Sequence, residues 1–204
     1  FLDGLRVTDK ETIDAVDTVL NLQVNSEVAQ FVASHDCDVK RFPGKEVLTC
    51  KKLESKHDLG YVGQVTHVKV DPILQALENG QMPILSSTAS DDLGTCYNVN
   101  ADNVASKIAI ALGARRLVYL SDVPGLLREP ANPSSLLSSL AVNEVQPLKD
   151  NGVISAGMLP KVNSAVDALK AGVNRVHFID GRMPHSILLE IFTDQGIGTE
   201  IVHA

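Results

Sequence analysis

Cysteine is scarce in this sequence and falls without pattern. Cys37, Cys50 and Cys96 are an odd set of three with no CxxC spacing. That excludes a disulfide framework and predicts free thiols in a reducing, cytoplasmic setting. Long apolar runs are also missing: none approaches the roughly 20 residues a membrane span needs. No secretory-leader pattern is visible. Positive charge is in the minority, 18 Lys and Arg against 25 Asp and Glu, for a net charge of −7. The balance argues against a nucleic-acid surface and against polybasic attachment to a membrane. Neither GxxxxGK[ST] nor GxGxxG occurs. No Ser-His-Asp ordering or metal-ligand spacing stands out, and the six histidines are scattered, so no metal site is expected. Repeats and long linkers are absent too. The 204 residues, 44% hydrophobic and 21% charged, therefore predict one globular domain.

What is present is organised around residues 97–127. Tyr97-Asn98-Val99 alternates as the end of a strand does. Asn100 is a good N-cap for an Ala- and Ile-rich helix over 101–112, and Gly113 is its expected terminator. Residues 116–120 (RLVYL) form a short apolar strand broken by Ser121-Asp122-Val123-Pro124-Gly125. Strand, helix and strand predict a βαβ unit with parallel strands and a right-handed crossover. Small molecules bind beyond the carboxyl ends of such strands. The polar residues cluster there: Asn98, Asn100 and Asp102 at one end, Ser121 and Asp122 at the other.

Elsewhere, Thr8-Asp9-Lys10-Glu11 predicts a capping box, followed by a helix on Ile13, Val16 and Leu20. A second helix over 26–34 is expected to bury Val28, Phe31 and Val32. Segments 47–53 and 61–70 predict a hairpin appended to the main sheet, with Thr66, Val68 and Val70 facing one way and Val65, His67 and Lys69 the other. Asp71 as cap and Pro72 at N1 open a helix striped by Ile73, Leu74 and Leu77 and closed by Gly80. Residues 83–87 are expected to be a buried parallel strand and 91–94 a turn. After a loose segment over 128–139 come helices at 142–150, 160–171 and 185–192, the second burying Val162, Ala165, Val166 and Leu169. Strands are expected at 174–179 and after Gly198. The alternation predicts an α/β fold with a mostly parallel sheet.

Lys161 is the most telling charge. It falls in a helix's first turn, where the macrodipole disfavours cations. A lysine there makes sense if an anion bridges it and the backbone amides. Asp102, also in a first turn, is comfortable with dipole stabilisation alone. Asn98 and Asn100 share one face of a strand end, although cap chemistry would account for Asn100. Arg6 is equally a solvated charge or a ligand. The 152–157 turn either lets backbone approach a phosphate or purine, or merely connects.

Together these residues resemble the acetylglutamate kinases of the amino-acid kinase family. The resemblance runs in order through Leu2-Asp3-Gly4-Leu5-Arg6-Val7-Thr8-Asp9, Asp58-Leu59-Gly60-Tyr61-Val62-Gly63, Tyr97-Asn98-Val99-Asn100-Ala101-Asp102, Leu120-Ser121-Asp122-Val123-Pro124-Gly125, Gly157-Met158-Leu159-Pro160-Lys161 and Gly196-Ile197-Gly198-Thr199. It implies an amino-acid/carbamate kinase-like fold, a three-layer α/β/α sandwich whose single domain has a substrate side over 1–96, with the hairpin, and a nucleotide side over 97–204. It also implies transfer of the γ-phosphoryl of ATP, with Mg²⁺ carried largely on its phosphates, to the side-chain carboxylate of N-acetyl-L-glutamate in arginine biosynthesis. Arg6 and Asn98, with Asn100 beside them, would hold the substrate. Lys161 would neutralise the transferring phosphoryl, and Asp102 would orient the lysines around it. Asp122, Val123, Pro124, Gly125, Leu126, Leu127, Val153, Ile154 and Ser155 would line the nucleotide site. His177, Glu190 and Gly196 fall where arginine-inhibited members bind their inhibitor, although Glu200 stands at a position usually apolar in the family. The resemblance also implies a homo-oligomer, a dimer or, in a full-length form, a hexamer.

Members of the family carry a lysine with paired glycines in a region before the one where this sequence opens. The expectation is that these 204 residues alone are inactive or nearly so as a kinase. The alternative is a non-catalytic arginine-sensing domain, or the kinase-like domain of an acetylglutamate synthase. Retention of Asn98, Asp102 and Lys161 favours the enzyme.

Overall fold

The computed structural model describes residues 6–129, 131–154, 157–193 and 196–203. The chain divides into two compact units, Phe1–Ile108 and Ala109–Ala204, the division falling inside helix α5 (Ala101–Ala111).

In the first unit, α1 (Lys10–Thr18) starts at Asp9, whose Oδ1 accepts the Thr12 N–H at 2.8 Å. The expected Thr8 cap does not form. Thr8 is fully buried in a β-bridge to Gly60, and its hydroxyl donates to the Arg6 carbonyl. Nor does the helix end near Leu22. Residues Val19–Val24 continue as π-helix directly into α2 (Asn25–Ala33). The wider turn changes which side faces inward. Asn21, Asn25 and Ala29 are buried, whereas Val28 and Phe31, expected inside, are exposed, Phe31 by 67%. Val32 is half-buried. The buried amides are satisfied, as such groups must be. Asn21 Oδ1 accepts from the Ser86 and Thr88 hydroxyls, and Asn25 donates to the Ile84 carbonyl at 3.0 Å while accepting Arg41 Nε at 2.8 Å.

Strand β1 (Val39–Phe42), hidden in the sequence by Lys40 and Arg41, precedes the short helix α3 (Gly44–Val47), which occupies the expected start of a strand. The expected hairpin is β2 (Leu48–Lys52) and β3 (Gly63–Val68). Its register shifts between Thr49 and Cys50, so that Thr66 opposes no residue. A bulge of this kind reverses the alternation. Val65 and Val68 are therefore both buried, not on opposite faces. Helix α4 (Asp71–Glu78) includes Asp71 as its first residue, because Val70 is already helical and stands at the cap. Its buried side is Ile73 and Ala76; Leu74 and Leu77 are exposed. Gly80 closes it at a φ of 74°.

The next strand, β4 (Met82–Leu85), pairs parallel with β1 in a two-stranded sheet and is half-buried rather than core. β5 (Thr88–Ser90) and β6 (Cys96–Asn98) complete a four-stranded sheet in the order β3-β2-β5-β6. The βαβ reading fails here. Strand β6 is antiparallel to β5 across the tight 91–94 turn, whereas β7 (Arg116–Ser121) belongs to another sheet. A tight turn joins antiparallel neighbours, and this local hairpin takes β6 before a crossover partner can.

The second unit's sheet has the order β7-β9-β10-β8, from β7, β8 (Ser139–Ala141), β9 (Arg175–Asp180) and β10 (Thr199–Val202). β7 and β9 are parallel, as are β8 and β10; β9 and β10 are antiparallel. The four-stranded sheets are thus mixed, with parallel pairings the more numerous among the named strands. Helices α6 (Val145–Asp150), α7 (Leu159–Lys170) and α8 (Ser186–Phe192) connect them. The core joins Val176, Phe178, Ile179 and Ile201 to Val162, Ala165, Ala168 and Leu169 of α7. Ala168 takes the inward place expected of Val166, which is half-buried. Tyr119 and Phe178 stack with centroids 5.2 Å apart.

All three cysteines are free thiols. Burial pushes Cys50 up to about 12; burial, with the Asp17 charge beside it, pushes Cys96 up to about 11. Half-exposed Cys37 is expected to alkylate at pH 8 at least about tenfold faster than either, because the thiolate and access to it set the rate. Mass spectrometry after timed iodoacetamide quenching reads the order. Among the described residues, no helix is long and apolar enough to cross a membrane, and no group of three His, Cys, Asp or Glu could hold a metal.

Candidate active site

Two segments far apart in the first unit converge on Thr8. Its hydroxyl lies 3.1 Å from the Arg6 carbonyl and 3.3 Å from Asn98 Nδ2. The strap 59–62 ties both segments together: Thr8 N–H donates to Leu59, Tyr61 N–H to Thr8, and Asn98 N–H to Tyr61, at 3.0, 2.7 and 2.9 Å. Arg6 and Asn98 are thereby brought to one place. Asn100 is exposed and serves as a cap, its Oδ1 accepting the Asn103 N–H at 3.0 Å. Asp102 follows in the first turn of α5, half-buried. Residues 2–5 of the first motif lie outside the described residues.

In the second unit, Val123, Pro124, Gly125, Leu126, Leu127 and Val153 line one cavity of about 350 Å³ with Pro133 and Met158. Gly125, at a φ of 146°, lets the loop come within hydrogen-bond reach of Thr199. A Cβ there would stand 2.5 Å from Thr199 Oγ1, which accepts the Leu126 N–H at 2.9 Å. The largely apolar wall suits a flat heterocycle. Asp122 is exposed and Ile154 is core; neither lines the cavity. Ser155 lies outside the described residues. Lys161 stands in the first turn of α7, behind Pro160; that turn carries no acidic residue. A side-chain cap is also lacking at Met158, so the amides at this helix end keep their positive character.

A second cavity, about 340 Å³, gathers His177, Glu190 and Gly196 with Arg116, Arg175 and Glu200, among others. His177 Nδ1 is 2.7 Å from Glu190 Oε1, and Glu190 Oε2 accepts the Ile197 and Gly198 N–H groups at 2.7 and 3.0 Å. Burial alone would raise the Glu190 carboxyl, but these N–H groups and the imidazole outweigh it and hold it below its ordinary value. His177 Nε2 is buried with no hydrogen-bond partner among the described residues. Glu200 accepts from Arg175 at 2.9 Å and from Ser139 at 3.2 Å. Arg116 and Arg175 escaped the sequence reading, since only the strand register brings them to His177; Glu200, noted there as a departure from the family, joins them.

The sequence profile described as the amino acid kinase family matches residues 2–180. The chain belongs to that family. Among its relatives in the amino acid kinase family, acetylglutamate kinase of Clostridium kluyveri is 40% identical over 203 residues, covering 98% of this chain and 72% of the relative. That of Archaeoglobus fulgidus is 42% identical over 212 residues, covering 98% and 73%. Among solved structures, N-acetylglutamate synthase from Neisseria gonorrhoeae is 26% identical. In complex with coenzyme A and N-acetyl-glutamate it superposes with a TM-score of 0.89, over all of this chain and 46% of that one. In complex with coenzyme A and L-arginine the TM-score is 0.84, over all of this chain and 48% of that one. The α/β architecture is accordingly that of the amino-acid and carbamate kinases.

Proposed function

We propose that the chain is an acetylglutamate kinase, transferring the γ-phosphoryl of ATP to the side-chain carboxylate of N-acetyl-L-glutamate in arginine biosynthesis. The junction at Thr8 carries this reading. It sets the backbone of Arg6 and the primary amide of Asn98 against one hydroxyl, from segments 92 positions apart in the sequence (98 − 6), and a guanidinium with an amide is the pair a carboxylate ligand needs. The relatives, 40% and 42% identical over nearly the whole chain, favour the enzyme over a sensor domain. Arg6 and Asn98 hold the α-carboxylate. The walls from Val123 to Leu127 and at Val153 hold the base. Lys161 and the amides of its helix end stabilise charge on the phosphoryl as it moves, and Asp102, in the first turn of α5, is the orienting carboxylate of the family's pattern. Such transfer needs positioning and charge stabilisation more than covalent chemistry. Mg²⁺ fits as an ion brought on ATP's own phosphates: among the described residues no acidic cluster stands ready to hold one.

The second cavity takes arginine as an inhibitor. A carboxylate offers about four acceptor positions, of which Glu190 uses three, leaving one for a guanidinium beside the unpartnered His177 Nε2. The exposed apolar residues Leu22, Val28 and Phe31 favour a homo-oligomer.

The test is titration with ATP and N-acetyl-L-glutamate, with transfer read as acyl-hydroxamate. Because these 204 residues alone are expected to transfer little or nothing, the rate is read in a form that also carries the family's lysine and paired-glycine segment, where Lys161→Met is expected to lower transfer by about a hundredfold or more, while ATP affinity changes less than about fivefold. A variant transferring at an unchanged rate would remove Lys161 from the chemistry. A chain that binds neither ligand would end the reading.

A further inference from the structure

We infer that Thr8 is a positioning residue for substrate recognition: its buried hydroxyl sets the orientation of the Asn98 amide and couples it to Arg6, while its backbone ties both to the 59–62 strap. The inference rests on the reading of Arg6 and Asn98 as carboxylate ligands, and it deepens that reading by naming what aims them. A threonine hydroxyl has one proton. Thr8 gives it to the Arg6 carbonyl at 3.1 Å. Toward Asn98 the hydroxyl can then only accept, so the amide must turn Nδ2, not Oδ1, to Thr8, as it does at 3.3 Å. One Nδ2 proton is spent there, and the other is aimed for an anion. Without that constraint an asparagine amide can present either its oxygen or its nitrogen, and a carboxylate meeting the oxygen is repelled.

The backbone of Thr8 is equally committed. Its N–H and carbonyl are held by Leu59 and Tyr61, and the Tyr61 carbonyl accepts the N–H of Asn98. Thr8 is 0% exposed, so solvent cannot replace the hydroxyl. The strap, through the Thr8 backbone, and the arginine segment and asparagine strand, through its hydroxyl, thus share one residue as their common reference. A change in the strap reaches the ligand residues through it.

Thr8→Val keeps the shape and removes the hydroxyl; Thr8→Ser keeps the hydroxyl. The experiment uses ¹⁵N-labelled full chain, with the Asn98 side-chain amide pair assigned by its loss in Asn98→Asp, and calorimetric titration with N-acetyl-L-glutamate and with ATP. In Thr8→Val the Asn98 pair is expected to shift and broaden, and the Kd for N-acetyl-L-glutamate to rise roughly tenfold. ATP affinity should stay within about twofold. Thr8→Ser should restore both the amide signal and the Kd to within about threefold. An unmoved amide pair in Thr8→Val, a Thr8→Ser no better than Thr8→Val, or ATP weakened as much as N-acetyl-L-glutamate would each overturn the inference. If the unsubstituted chain does not bind N-acetyl-L-glutamate, the functional reading falls, and the amide pair still decides whether Thr8 aims Asn98.

Discussion

Glu190→Ala is expected to destabilise the second unit by about 3–5 kcal/mol, read as a lower urea midpoint at unchanged slope. Three groups lose their partner at once: the His177 ring and the N–H groups of Ile197 and Gly198. Both His177 and Glu190 are buried, with side chains 5% exposed, so water cannot readily replace the carboxylate. Each buried group left unsatisfied costs about 1–3 kcal/mol. Acid should act on the same contact. Glu190 is held below its ordinary carboxyl value of 4.5, so its contribution is fully present above that value. It is lost as pH falls through the lower folded value. The midpoint should therefore drop below about pH 4.5, and Glu190→Gln, which keeps an acceptor for the backbone, should flatten that part of the profile. A loss under about 1 kcal/mol for Glu190→Ala would mean that the network is not rigid.

Gly60→Ala is expected to cost about 2–5 kcal/mol, from two separate sources. At a φ of 69° the backbone is left-handed, which charges an L-residue about 1–2 kcal/mol. The new Cβ would also overlap the Thr8 carbonyl oxygen. That oxygen cannot move aside, because it accepts the Tyr61 N–H at 2.7 Å; forcing in a methyl adds about 1–3 kcal/mol. Gly94 is the control. Its φ is 82° but nothing lies within 4 Å of its Cβ position, so Gly94→Ala should cost only about 1–2 kcal/mol. Equal losses in the two variants, measured by chemical denaturation, would show that the strap does not grip Thr8.

What could be read from the sequence was local chemistry. Gly80, the 91–94 turn, the helix bearing Lys161 and the cap at Asn100 all stand where short-range rules put them. Pairing was another matter. β5 and β8 have three residues each, too few to show a period, and β2 and β10, with which they pair in parallel, are distant in the chain. The Thr66 bulge depends on a hydroxyl meeting the Thr49 carbonyl across the hairpin, which no single strand announces. Of the candidate site, the residues that bear charge or amides were legible because the ordered motifs carry them. Thr8 was misread for a physical reason: a threonine before an acidic first turn is what a cap looks like, and only the bridge to Gly60 reveals its other use.

The π-helical turn at Val19–Val24 amounts to a phase offset inserted into one long rod. The wider winding absorbs one extra residue; held to the ordinary pitch, the same residues would rotate everything downstream by about 100°. Asn25 and Ala29 would swing out to water, and the oily ridge of Val28 and Phe31 would be driven against the strands beneath. Which half of that rod stays wet is therefore decided by the winding at one spot, not by the chemistry of the residues beyond it.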